Sequence, residues 1–142
     1  MKHEQVDRRA WDALVQAVAG NVDGAVEQLA GGASQSEAMF GLCCDVAEAG
    51  ARALYRIHGP VPAGVRFTLV EYVGSLDAVP ERALAARFLE AYANRYEAGA
   101  LELYVSAAAG RQERLGFARE LLAIVAHLVR SATPAEAPRY AA

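Results

Sequence analysis

Apolar side chains return at intervals of three and four residues along almost the whole chain, and this spacing constrains the fold more than any other feature. Trp11, Leu14, Val15 and Val18 fall at i, i+3, i+4 and i+7, and so do Val22, Ala25, Val26 and Leu29. Each set lies on one side of a helix of 3.6 residues per turn, so each buries one face against a neighbour. Met39, Leu42, Cys43, Val46, Leu54 and Ile57 continue the pattern in a longer third helix. Beyond Pro80 it resumes on Leu84, Phe88, Ala91 and Tyr92, then on Leu101, Tyr104, Val105 and Ala108, and finally on Leu115, Leu121, Leu122, Val125, Leu128 and Val129.

Punctuation supports these boundaries. Gly20 and Asn21 separate the first two helices, and "AGGAS" (30–34) ends the second. Ser34 and Glu37 are spaced as a capping box, in which each side chain satisfies the other's free backbone donor. "HGPVP" (58–62) stops the third helix, and Pro80 suits the first turn of the fourth. The segment "GVRFTLVEYVGSL" (64–76) carries both a strand-like alternation and a helical stripe. Helix is the favoured reading, because a lone strand has no partner for its backbone groups except across a dimer.

The expected fold is all-α, a compact bundle of six or seven helices forming one domain over 1–132, with a flexible C-terminal tail at 133–142. Within it, 7–58 and 82–132 read as two pseudo-repeated three-helix units flanking a connector at 59–80. A shift of 74 lays "LVQAVA" (14–19) on "FLEAYA" (88–93), and a shift of 75 lays "GAVEQL" (24–29) on "GALELY" (99–104). The competing explanation is shared composition, since about 32 alanines make any two of these helices alike. "GNVDGAVEQLAGGA" (20–33) also resembles the second half of an ankyrin repeat at its turn and exit glycines. The repeat's opening Thr-Pro-Leu-His pattern is absent and nothing returns after 33 residues, so that family is not assigned.

Charge excludes several functions. The net charge is −3 with both signs interspersed, so no basic footprint for nucleic acid or anionic membrane is present. "MKHEQVDRRAWDAL" is polar where a secretory signal is apolar, and no apolar run has the length of a membrane span. The expected location is cytoplasmic, where thiols stay reduced.

Cys43 and Cys44 are the only cysteines. Neighbours on a helix point about 100° apart, so one metal ion is not held by both, and a bond between them would break the helix. Cys43 falls at the centre of the apolar stripe. Cys44 points to a flanking strip with Phe40, Ala51 and Tyr55, while Asp45 and Glu48 beside it oppose a thiolate. His3, His58 and His127 are isolated in sequence, so no metal or cofactor is expected. Asp45, Glu48, Arg52 and Arg56 read as a solvated polar face with surface ion pairs.

No catalytic motif is present, and no enzyme activity is expected. The leading expectation is a noncatalytic protein interaction or regulatory module that associates with itself. Its support is that Phe40, Cys44, Ala51 and Tyr55 on the third helix, and Phe117 and Ile124 on the last, extend the apolar stripes toward a second side. The alternative is a small-ligand binder whose pocket is lined by Phe88, Tyr92 and Tyr96, an aromatic row at i, i+4 and i+8. A thiol-dependent enzyme or redox sensor at Cys44 ranks last.

Overall fold

The computed structural model describes residues 2–32, 36–59, 80–107 and 110–132. Among them it forms six helices and no strand: α1 (Lys2–Val18), α2 (Val22–Gly32), α3 (Ser36–His58), α4 (Pro80–Ala93), α5 (Glu97–Ala107) and α6 (Arg111–Ala132). The all-α bundle read from the spacing is what the chain adopts. Ser34 of the capping box, the 64–76 segment and the tail lie outside the described residues.

The two longest helices, α3 and α6, pack against each other at the centre, and α1 and α4 each lie against both of them. α2 folds back on α1 and also touches α6, while α5 folds back on α4. Small residues let the central helices approach closely. A Cβ at Gly50 of α3 would come within 2.9 Å of Val125 Cγ2 and 3.0 Å of Leu89 Cδ1, so glycine is what admits α6 and α4 there. At one end of the core, four rings from α3, α4, α5 and α6 close on one another. Phe40 meets Phe88 and Tyr104 at centroid separations of 6.2 and 5.1 Å, and Phe117 meets the same two at 5.2 and 5.7 Å. Three of the four contacts are edge-to-face, the arrangement favoured by the ring quadrupoles.

Around the inter-helix turns the two triplets correspond at a displacement of 75 residues: Val18 to Ala93, Val22 to Glu97, Gly32 to Ala107 and Ser36 to Arg111 are equivalent helix ends, while the outer ends, Lys2 with Pro80 and His58 with Ala132, are 78 and 74 residues apart. The inter-helix turns match bond for bond. The Gly20 and Asn21 amides donate to Ala17 and Gln16 carbonyls at 3.0 and 2.9 Å, and the Arg95 and Tyr96 amides donate to Tyr92 and Ala91 at 3.0 and 2.7 Å. Both turns are Schellman stops, with the left-handed residue, Gly20 or Arg95, two positions past the last helical residue. Cross-links between the halves correspond as well. The Tyr55 hydroxyl donates to the Ala93 carbonyl at 2.9 Å, and Arg130, its equivalent, donates to the Val18 carbonyl at 3.1 Å. Each caps the open C-terminus of the other half's first helix.

Among the described residues no helix is long and apolar enough to cross a membrane.

Candidate functional site

The cysteine pair splits as the spacing implies. Cys43 is fully buried in the core, and Cys44 is half-buried against its edge. Loss of hydration, with a smaller push from Cys44, drives the Cys43 thiol far above its usual range, so it stays protonated and unreactive at neutral pH. His127 is exposed on α6, and among the described residues no group of three His, Cys, Asp or Glu side chains converges as a metal site would.

The aromatic row does not line one pocket. Phe88 is buried in the ring cluster, Tyr92 is half-buried, and Tyr96 is 62% exposed. The reason is local, because α4 ends at Ala93 and the chain has already turned before Tyr96.

The residues expected at a subunit interface are largely used within the chain. Phe117, Ile124 and Ala51 are buried, Phe40 packs into the ring cluster, Tyr55 caps α4, and Cys44 packs against the core. The second apolar side of α6 exists because α1, α2, α3 and α4 all touch it.

Two surface features take their place. The first is α5. Leu101 and Val105 are 46% and 64% exposed on one side of α5, and Tyr96, 62% exposed, lays its ring over Gly99 at the start of the same helix. Their helix has almost no amphipathic bias, so burying one side leaves apolar groups on the other. Its counterpart α2 is covered differently. Val26, equivalent to Leu101, packs against the core, and Asp23 forms an ion pair with Arg119 of α6.

The second feature is a cleft of about 620 Å³ between α1 and α3, reaching Tyr92 and the end of α6. Leu14, Val46, Ala49 and Ala53 form its floor, and Trp11 stands at its lip, 62% exposed. Asp45, Glu48, Arg52 and Arg56, four positions that read as a solvated face, run along one wall. Arg52 Nε donates to Glu48 Oε2 at 3.1 Å, the i, i+4 surface pair that the spacing implied. Periodicity places Trp11 on the core face, and no local pattern reveals that its ring stays outside. The available signal was the alternation of charged residues with small Ala49 and Ala53.

The cleft belongs to the first half by composition. At equivalent positions 75 residues on, Ile124 and Leu128 replace Ala49 and Ala53 and are buried, while Ala123, His127 and Ser131 replace Glu48, Arg52 and Arg56. Bulk fills in the second half what small residues leave open in the first.

Comparisons with protein-family models, curated proteins and solved structures return no match for this chain.

Proposed function

We propose that the chain is a noncatalytic binding module of two related three-helix units, which self-associates through the exposed face of α5. One observation carries this reading: where the first half has Gly20 and Asn21, the second has Arg95 and Tyr96, next to uncovered Leu101 and Val105. Gly20 takes its left-handed backbone (φ 99°) without a Cβ penalty, and the Asn21 side chain caps α2 by accepting from the Gly24 amide at 3.1 Å. Arg95 holds φ 65° against that penalty, and tyrosine is a poor N-cap. Two substitutions that weaken a turn, placed beside an exposed apolar strip, favour recognition over stability as the selected property. Tyrosine and arginine are also residue types that dominate interface energetics.

A second copy is the partner that fits. Two-fold antiparallel pairing centred between Ala98 and Gly99, at the N-terminal end of α5, sets Arg95 and Tyr96 against the partner's Glu102 and Leu101, joining opposite charges and apolar groups twice over. Neither Arg95 nor Glu102 forms a salt bridge among the described residues. That pairing overlaps only residues 95–102, about 12 Å at 1.5 Å per residue, so the contact falls at the small end of interface sizes, and the dimer is weak and concentration-dependent. Sedimentation velocity across a concentration series tests it. Leu101→Asp should yield a monomer with unchanged helicity, Arg95→Glu and Glu102→Arg should each weaken association, and the double swap should restore it. A strict monomer at the highest concentration would refute the proposal.

A further inference from the structure

We propose that the cleft between α1 and α3 binds a short zwitterionic peptide, with its ammonium end at Asp45 and Glu48 and its carboxylate end at Arg52 and Arg56. This is independent of association through α5. The wall of the cleft is a charge ladder along one helix, with both acids toward the N-terminal side and both bases toward the C-terminal side. A cation alone or an anion alone meets one favourable end and one repulsive end. A ligand carrying both, in the right order, meets two favourable ends. Position 45 to position 56 spans about 16 Å of helix, which an extended chain of four or five residues covers at about 3.3–3.6 Å each. A volume of about 620 Å³ lies in the range of formed ligand sites, about 300–1,000 Å³.

The remaining walls suit such a ligand. Leu14, Val46, Ala49 and Ala53 offer an apolar floor to side chains, and Trp11 and Tyr92 supply flat surfaces at the lip and far wall. The Glu48–Arg52 pair occupies the middle of the ladder while exposed, with side-chain accessibilities of 45% and 76%. Exposed pairs of this kind contribute little, so exchanging it for pairs to the ligand termini carries a small penalty. The second half shows what the same position looks like without a site, since of the ladder only an acid at Asp45's equivalent, Glu120, is kept, paired to Arg82, and Ile124 and Leu128 fill the floor.

Trp11 is the only tryptophan, so its emission reports on the cleft. The test is a fluorescence titration with the free tetrapeptide Ala-Leu-Ala-Leu, its N-acetylated form and its C-amidated form. The free peptide should change Trp11 emission saturably, and blocking either terminus should weaken binding about tenfold. Arg52→Ala with Arg56→Ala should remove the distinction between the free and amidated C-terminus. Ala49→Ile with Ala53→Leu, which gives the first half the residues of the second, should abolish binding while leaving helicity intact. Equal affinity for free and blocked peptides, or no emission change up to about 10 mM, would overturn the proposal.

Discussion

Arg95 and Tyr96 are the residues at which local preference and local structure disagree most. Arg95→Gly removes a Cβ from a left-handed position, and Tyr96→Asn supplies the cap that Asn21 gives its own helix. Each should stabilise the fold by about 1 kcal/mol, read from urea unfolding, and each should weaken association. The reverse change, Gly20→Ala, should cost about 1 kcal/mol. Cys43 provides a pH-dependent test. Its folded thiol is raised by burial, so as pH rises above about 9 the unfolded chain releases the proton while the folded chain keeps it. The unfolded state then binds fewer protons, and stability falls by up to about 1.4 kcal/mol per pH unit, whereas below pH 9 this contribution is constant. Cys43→Ala should flatten that decline. Matching slopes in the two proteins would show that the thiol does not ionise differentially.

Among the elements, α6 shows how an apolar excess is to be interpreted. All five other helices touch it, so its two-sided stripe is absorbed within the chain, and Phe117 at 0% exposure belongs to the ring cluster. Phe117→Ala should therefore cost about 3–5 kcal/mol and leave the proposed association through α5 unchanged. α5 is the opposite case, a helix whose apolar residues exceed what its neighbours cover. The reciprocal caps operate at the same scale. Tyr55→Phe should cost about 0.5–1.5 kcal/mol, because the Ala93 carbonyl loses its donor in a half-buried setting.

At the scale of the molecule, the halves do not have separate cores. α3 and α6 pack on each other, each reaches the other half's first helix, and the Tyr55 and Arg130 caps cross between halves. Unfolding should thus be one cooperative transition, in which Trp11 emission from the first half coincides with the far-ultraviolet helix signal from both. Two separated transitions would mean that the triplets fold as independent units. Around the two inter-helix turns the halves keep a displacement of 75 residues in helix ends and hydrogen bonds, and they differ at the cleft and at α5.

Helix positions were legible because a helix is a local object. The spacing of Leu14, Val46 and Leu122, the break at Gly20 and the stop after His58 are each set by residues a few positions apart. Even the equivalence of the two turns lay in the sequence, although Arg95 and Tyr96 in place of Gly20 and Asn21 concealed it. Which apolar residues stay outside did not follow. Trp11 and Leu101 obey the same periodicity as buried neighbours, and only the distance to a remote helix decides that one stands at a cleft and the other faces solvent. Periodicity within a segment therefore determined the helices and their inward faces. The tertiary structure decided the surface, because exposure depends on how far apart non-neighbouring helices come to rest, and side-chain bulk such as Ile124 against Ala49 sets that gap.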